Sequence, residues 1–245
     1  MSGRGSRERE AAQEGADTRA RLIRGFSHDV KNPLGAADGY AQMLEDGMFG
    51  PLNEDQQRGI GRIRRSLHAA LELIDELADL TRADAGQLEV RHDLVDARTI
   101  VGEVLSKHRA QAESAGLTLS HSEPAEPVMT VTDPVRVRRV LGHLIENAVR
   151  YTEQGTIAVA VARATWDRIP RDCVVIDVTD TGPGIPLEER EPMFEAYARG
   201  GGRRNGIGLG LAIGRRIARA LGGDLTVTSA PDDGTTFRLW LPAVE

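Results

Sequence analysis

A histidine followed directly by a carboxylate, His28-Asp29, is the pair of side chains in this sequence best suited to chemistry. Asp29 can accept the proton of one imidazole nitrogen, which fixes the tautomer and leaves the other nitrogen as a nucleophile. Asn32 lies four residues after His28, so in a helix its amide shares the histidine's face. Pro33 has no N–H to bond the carbonyl of Asp29, which weakens or bends a helix at this point. These neighbours distinguish His28 from the lone surface histidine that a helix commonly carries.

The helix that must position this pair is predicted from the spacing of its apolar residues. They alternate steps of three and four, the pattern of a seam in a helical bundle. The members of this seam are Ile23, Phe26, Val30, Pro33, Ala37, Tyr40 and Leu44. His28 is two residues from Phe26 and from Val30, so at about 100° per residue it points away from the seam. We therefore expect a helix from about residue 15 to 46, with His28 facing solvent.

The stretch from Phe26 to Leu34 resembles the H-box of bacterial sensor histidine kinases, in which an acid follows a phospho-accepting histidine. The resemblance implies that His28 is the phospho-acceptor and that Asp29 is its acid-base partner. It also implies that Asn32 orients the water that dephosphorylates a partner protein.

A second apolar helix is predicted from about residue 54 to 85, after a turn that contains Gly47 and Gly50. Two long helices joined by a short turn form a hairpin whose broad apolar face the hairpin alone does not cover. A second copy would cover it, giving a two-fold symmetric four-helix bundle, so we expect a homodimer. His68 on this helix is interpreted as a surface residue.

Composition bounds the class of protein. The 245 residues are enough for two domains, and 40% hydrophobic with 28% charged residues is ordinary for globular chains. No apolar run approaches the roughly 20 residues of a membrane span, and no signal peptide is recognisable. The net charge of −6 with 4% aromatic residues argues against a nucleic-acid partner. A single cysteine, Cys173, cannot form an intrachain disulfide, which favours the cytoplasm.

Beyond Gly86 the chain alternates predicted helices and strands. Asp96 and Asp133 are expected helix caps, Asp133 being followed by a proline at the first helical position. The expected helices run from 97 to 115, from 134 to 151, and from the glycine-rich stretch to Gly222. The expected strands lie near residues 117–121, 128–131, 156–164, 173–179, 224–229 and 235–241.

The helix from 134 to 151 carries a polar stripe beside an apolar one. His143, Asn147, Arg150 and Tyr151 fall at i, i+4, i+7 and i+8, a spacing that by itself is typical of a solvated face. The sequence Leu144 to Tyr151, however, resembles the kinase N-box. The resemblance implies that Asn147 gives an oxygen ligand to Mg²⁺, that Arg150 faces phosphate and that Tyr151 lies near the nucleoside. The family often has asparagine where His143 stands, so a metal role for His143 is left open.

The sequence Asp180-Thr181-Gly182-Pro183-Gly184 ends an apolar strand and resembles the G1 box of the same family. A carboxylate at a strand end can accept the adenine amino proton, and Gly182 and Gly184 let backbone approach the base. The alternative is an ordinary turn, for which aspartate and glycine are common. Phe194-Glu195-Ala196-Tyr197 resembles the F-box.

The glycine-rich stretch from Gly206 to Leu211 resembles the G2 box. Gly206 belongs to this box, and Gly208 and Gly210 open a helix whose N-terminal amides can hold phosphates. The stretch fits neither the dinucleotide fingerprint nor a P-loop. Three glycines at 200–202, followed by Arg203 and Arg204, suggest a mobile lid over the nucleotide.

Five boxes in the family's order cover residues from about 20 to 242. The implied fold is α+β: a helical-hairpin dimerisation domain, a four-helix bundle in the dimer, followed by an α/β sandwich ATP-binding domain of the Bergerat type. The expected domains are a disordered lead-in at 1–14, a dimerisation and histidine phosphotransfer domain at 15–85, and a catalytic ATP-binding domain at 86–245. The lead-in is either a simple tail or the end of a signalling helix from an input domain.

The function that the resemblance implies is that of an ATP-dependent protein histidine kinase. It would phosphorylate its own His28 and transfer the phosphoryl group to an aspartate of a response regulator receiver domain, which it would also dephosphorylate. Its cofactors would be ATP and Mg²⁺, and its signal would come from a separate sensor protein or a missing input domain. Two alternatives are a nucleotide-gated interaction module without kinase activity and a gyrase-like ATPase. The latter class places a glutamate base where this chain has His143.

Overall fold

The computed structural model of the protein describes residues 2–166, 168–196, 198 and 208–244. The chain divides into two compact units, Met1–Gln87 and Leu88–Glu245. The first is a hairpin of two long helices and the second is a sheet packed against helices, so the predicted succession of a helical hairpin and an α/β sandwich is confirmed. Among the described residues, no helix combines the length and the apolar composition that a membrane span requires.

The hairpin consists of α1 (Ser2–Glu45) and α2 (Glu54–Asp84). The second helix begins with a capping box, in which Asn53 Oδ1 accepts the backbone N–H of Gln56 and Gln56 Oε1 accepts that of Asn53, each at 2.9 Å. The first helix begins at Ser2 and not near residue 15, so the prediction of a disordered lead-in differs from the structure. Alanine, glutamate, glutamine and arginine are frequent at positions 7–14, and these residues favour helix even without an apolar stripe.

The predicted seam of α1 is not its buried face. Phe26 and Tyr40 are 57% and 64% exposed, whereas the buried residues among the described side chains of α1 are Ala20, Ser27 and Ala41. These three recur at multiples of seven, so they form a separate stripe of small residues. The large apolar side chains Phe26 and Tyr40 of the seam therefore remain open to solvent in a single chain.

Charged side chains join the two helices of the hairpin. Lys31 on α1 donates to Asp75 on α2, and Asp38 on α1 accepts from both Arg64 Nε and His68 Nε2 at 3.1 Å. The hydrogen bonds from His68 and then Arg64 hold the pKa of Asp38 below its ordinary value. His68 is half exposed, as expected for a surface residue, but it also contributes to helix pairing.

The second unit contains a five-stranded sheet in the order β2-β4-β5-β7-β6 and a separate antiparallel pair, β1 with β3. In the larger sheet β2 and β4 are parallel and the other neighbours are antiparallel. The elements are β1 (Asp93–Asp96), α3 (Ala97–Ser114), β2 (Leu117–Ser122), β3 (Met129–Thr132), α4 (Pro134–Tyr151), β4 (Gly155–Trp166), β5 (Ile169–Asp180), α5 (Leu187–Arg190), a 3₁₀ turn (Pro192–Phe194), α6 (Gly210–Ala220), β6 (Asp224–Ser229) and β7 (Thr235–Pro242).

Helices α3, α4 and α6 pack on one face of this sheet. The alternation of β5 shows the two faces: Ile176 and Val178 are fully buried, and Asp177 between them lies on the opposite face. The predicted caps are confirmed, because Asp96 accepts the N–H of Arg98 and Asp133 accepts those of Val135 and Arg136. Strand β1 and helix α5, each of four residues, were not predicted.

Candidate functional site

The His28-Asp29 pair lies on the outside of α1, as the spacing predicted. The two side chains are 74% and 82% exposed, and His28 Nδ1 is 3.3 Å from Asp29 Oδ1. Asn32, one turn further on, is exposed as well. With its proton on Nδ1, donated to the carboxylate, the imidazole presents Nε2 to solvent with a free lone pair.

Two neighbours of His28 anchor this part of α1. Ser27 is buried, and Lys31 is joined to Asp75 of α2. The Lys31–Asp75 pair could not be foreseen, since its partners are 44 residues apart in sequence. The helix continues through Pro33, which leaves the carbonyl of Asp29 without its helical donor.

The residues of the polar stripe of α4 differ in how deeply they are buried. Asn147 is half-buried, whereas Arg150 is exposed and Tyr151 is 41% exposed. The apolar stripe beside them, which includes Leu144 and Ala148, packs into the core. The helix therefore presents Asn147 at a half-buried position. An amide oxygen binds a cation more strongly there than in open water, because the local dielectric constant is lower.

His143 lies against the first residue of α6. A Cβ built on Gly210 would stand 3.3 Å from His143 Cγ and 3.4 Å from Nδ1. The end of the G2-like stretch and the N-box-like helix are thus in contact, as expected if both serve one site. Gly208, with φ of +74°, precedes α6, and Gly206 lies outside the described residues. So do Tyr197, the glycines at 200–202, Arg203 and Arg204.

Asp180 ends β5 and is only 7% exposed. The backbone N–H of Gly182 donates to Asp180 Oδ1 at 2.9 Å. Burial raises the pKa of the Asp180 carboxyl, while the Gly182 N–H and the Thr152 hydroxyl act in the opposite direction. Sequence reasoning missed Thr152, the residue after α4, which brings the end of the N-box-like helix to the G1-like carboxylate.

Gly184 serves the fold in a way that was not predicted. Its φ is +70°, and a Cβ there would stand 1.7 Å from the carbonyl oxygen of Ala230. Gly234 lies similarly close to the backbone of Asp180: its φ is +72°, and an added Cβ would stand 2.1 Å from the Asp180 carbonyl oxygen. These glycines let the turn between β6 and β7 pack directly on the loop that follows Asp180. The loop geometry around the carboxylate is therefore fixed by backbone contact.

The F-box-like residue Phe194 is buried and contacts Phe237 edge-on at 6.4 Å. The guanidinium of Arg215 lies 4.5 Å from the centre of the Phe194 ring. Arg215 also donates to Glu191 at 2.7 Å and to Asp224 at 3.2 Å. This network fixes the segment after α5 on α6, and no local pattern in the sequence indicated it.

Two family models match the chain in succession. Residues 18–86 match the His Kinase A (phospho-acceptor) domain. Residues 132–245 match the family described as histidine kinase-, DNA gyrase B-, and HSP90-like ATPase.

Curated relatives align over most of the chain. The aerobic respiration control sensor protein ArcB of Escherichia coli strain K12 is 30% identical over 244 residues, which are 97% of this chain and 30% of that protein. The histidine protein kinase DivJ of Caulobacter vibrioides is 30% identical over 229 residues, which are 92% of this chain and 38% of that protein. The chain thus spans about a third of the length of these relatives.

A solved structure, that of full-length ShkA in complex with AMPPNP, matches with a TM-score of 0.75 and 26% identity. The match covers 91% of this chain and 46% of that one.

Proposed function

The chain belongs to the sensor histidine kinases of two-component systems, and on that premise we propose that it is an ATP-dependent protein histidine kinase. In this proposal it phosphorylates its own His28 and passes the phosphoryl group to an aspartate of a response regulator. The observation that carries the proposal is the exposed imidazole of His28, paired with Asp29 at 3.3 Å, in a chain whose second unit has the ATPase fold.

The tautomer of His28 determines which ring nitrogen attacks ATP. Nε2 attacks the γ-phosphorus of ATP, the bond from that phosphorus to the β–γ bridging oxygen breaks, and ADP leaves with the electron pair. The ring then carries positive charge, which the Asp29 carboxylate stabilises through the Nδ1 proton and relieves by accepting that proton. In transfer, a carboxylate oxygen of the regulator attacks phosphorus and the N–P bond breaks.

The nucleotide is assigned to the region between α4, the end of β5 and the start of α6. Asp180 would accept a hydrogen bond from the adenine amino group, with Gly182 and Gly184 shaping the loop beside it. Tyr151 would contact the nucleoside and Arg150 the phosphates. Gly206, Gly208 and Gly210 would bring the backbone to the phosphates at the start of α6.

The residues present fit a magnesium ion. Mg²⁺ takes few protein ligands and keeps water and phosphate oxygens as the rest, and the half-buried amide oxygen of Asn147 is a ligand of that kind. Over the described residues, no group of three acidic, histidine or cysteine side chains could hold a metal alone, so phosphate oxygens would complete the set. When bound, the ion would neutralise phosphate charge during transfer.

We further propose that the protein works as a homodimer. Phe26 and Tyr40 of α1 and Ile63 of α2 are each more than half exposed in one chain. A second hairpin would bury them in a four-helix bundle centred on the predicted seam. Residues 15–85 are accordingly assigned to dimerisation and phosphotransfer, and residues 86–245 to catalysis.

The remaining assignments concern partners and location. The proposed partner is a response regulator receiver domain, which Asn32 would help to dephosphorylate by orienting water. The signal would reach the kinase from a separate sensor protein or an input domain outside this sequence. The single cysteine, Cys173, is buried in β5, which supports a reducing compartment such as the cytoplasm.

The deciding experiment is incubation of the purified protein with γ-labelled ATP and Mg²⁺, with His28→Gln as the matched variant. The expected result is a label on the protein that is acid-labile and base-stable and that is lost in His28→Gln, while ATP binding is retained in both proteins. Sustained ATP hydrolysis without labelled protein would instead favour a gyrase-like ATPase. Nucleotide binding without label or hydrolysis would favour a nucleotide-gated interaction module.

A further inference from the structure

A cleft of 610 Å³ opens in the second unit along β6, the edge strand of the sheet, and its neighbour β7. Its other walls are the end of β4, helix α5 and Arg215 of α6. None of the described residues assigned above to the nucleotide lines it. The cleft is therefore separate from the proposed ATP site.

One wall is a stack of two tryptophans between two arginines. The rings of Trp166 and Trp240 lie 4.6 Å apart with an angle of 12° between their planes. The guanidinium of Arg168 lies 5.6 Å from the Trp166 ring and that of Arg238 lies 5.4 Å from the Trp240 ring. Each guanidinium thus lies within cation–π distance of one ring of the stack. The wall therefore combines aromatic rings with arginine side chains, a group whose planar N–H donors bind oxyanions.

The arginines of the cleft fall into two classes. Arg238 is held by Asp177 through contacts of 2.7 and 2.6 Å, and Arg215 is held by Glu191 and Asp224. Arg168 and Arg190 differ: within the described parts of the chain neither takes part in an ion pair, and Arg190 Nε donates to the carbonyl of Ile185 at 3.2 Å. Among the described residues, two positive charges of this cleft thus have no ion-pair partner, on a chain whose net charge is −6.

We propose that this cleft binds a small organic polyanion, a molecule with at least two phosphate or carboxylate groups, through the guanidinium groups of Arg168 and Arg190. Planar guanidinium groups recognise both kinds of oxyanion with paired N–H donors. The volume lies in the range of about 300 to 1,000 Å³ that small-molecule sites occupy. Thr228, exposed on the floor of the cleft, adds a hydroxyl donor.

The chain contains two tryptophans, and both are in this wall, so tryptophan fluorescence reports on the cleft alone. The experiment titrates the protein with tripolyphosphate and, separately, with citrate, and the arginine variants distinguish binding in the cleft from binding at the nucleotide site. The matched variants are Arg168→Gln/Arg190→Gln and, as a control with the same loss of charge, Arg109→Gln/Arg163→Gln at exposed positions outside the cleft.

The expected result is a saturable change in emission with one probe or both, which also identifies phosphate or carboxylate as the preferred group. Each lost guanidinium should weaken binding by about tenfold, and the control should bind like the wild type. Equal binding by both double variants, or no saturable response to either probe, would overturn the proposal. A response to a hexaglutamate peptide alone would also overturn it, in favour of a protein-docking surface. Calorimetry with the same probes checks each result without reliance on emission.

Discussion

His108 on α3 and Glu146 on α4 form a partly buried charged pair, with Nε2 3.6 Å from Oε1. The other ring nitrogen, Nδ1, lies 2.8 Å from the carbonyl oxygen of Val104. The protonated imidazole therefore has a hydrogen-bond acceptor at Nδ1 and an opposite charge beside Nε2. The pairing with Glu146 raises the pKa of His108 against the effect of burial, and it lowers the pKa of Glu146.

This pair predicts a specific pH dependence of stability. The pKa of His108 in the folded protein lies above its ordinary value of about 6.5, so its contribution is complete below about pH 6.5 and is lost as pH rises through the folded pKa. The contribution of Glu146 is lost at the acid end, as pH falls through its lowered pKa. We expect His108→Gln to reduce the free energy of unfolding by about 1 to 3 kcal/mol at about pH 6, and by less at about pH 8.

Denaturant unfolding followed by tryptophan fluorescence measures this difference, because both tryptophans belong to the second unit. A gap between wild type and His108→Gln that stays constant across this pH interval would contradict the assigned pairing.

Asp29→Asn tests the orientation of the phospho-acceptor. Without the carboxylate the imidazole loses the group that fixes its tautomer and accepts its proton, so autophosphorylation should fall by about 10²-fold. Affinity for nucleotide should not change, since Asp29 lies on the hairpin. Asp29→Glu should restore part of the rate. An undiminished rate of autophosphorylation in Asp29→Asn would show that Asp29 takes no part in the reaction.

Asn32→Ala tests whether autophosphorylation and dephosphorylation of the regulator depend on different residues. The Asn32 side chain is exposed, as is that of His28, and in the proposed reaction it takes no part in the attack on ATP. Autophosphorylation should persist, whereas release of phosphate from a phosphorylated receiver domain should slow by about tenfold or more. The measurement compares both rates for the same preparation, and a parallel loss of both would indicate a general defect in the helix.

Asn147→Ala tests the metal assignment. Calorimetric titration with an ATP analogue should show about tenfold weaker binding than wild type in the presence of Mg²⁺. With Mg²⁺ removed by a chelator, wild type and variant should bind the analogue equally. A difference that persists without the metal would place Asn147 on the nucleotide itself.

Gly184→Ala tests the backbone contact at the loop after Asp180. The added Cβ would collide with the carbonyl of Ala230 at a backbone φ of +70°, so the second unit should lose about 2 kcal/mol of stability or more. Gly102→Ala on α3 is the matched control, since no heavy atom lies within 4 Å of its added Cβ. That substitution should stabilise the helix by about 0.5 to 1 kcal/mol. The midpoint temperature of thermal unfolding should fall in Gly184→Ala and rise in Gly102→Ala.

The features predicted correctly from the sequence are those that depend on residues close to one another in the chain. Asp96 and Asp133 marked helix starts because a side chain caps the N–H groups two or three residues on. His28 was correctly predicted to be exposed, because the face on which a helical residue lies follows from the spacing of its neighbours in sequence. The G1-like carboxylate, Asp180, was placed at a strand end for the same reason.

The features that were missed depend on partners distant in sequence. Lys31 finds Asp75 only after the hairpin closes, and His108 finds Glu146 only when α3 packs beside α4. The seam of α1 was identified from its apolar pattern, but periodicity alone does not show whether its side chains are buried within a single chain. Local patterns likewise cannot show that Gly184 faces the backbone of Ala230, which lies beyond two further helices and a strand.

The position of β7 sets the order in which the molecule can assemble. It is the last strand in the sequence, yet it lies between β5 and β6 in the sheet. During synthesis α1 and α2 can pair as soon as both have emerged, because their pairing needs no later part of the chain. The sheet, in contrast, has a gap between β5 and β6 until Pro242 leaves the ribosome. Contacts of long sequence separation form slowly, so the hairpin should already be present in a nascent chain whose sheet is still incomplete.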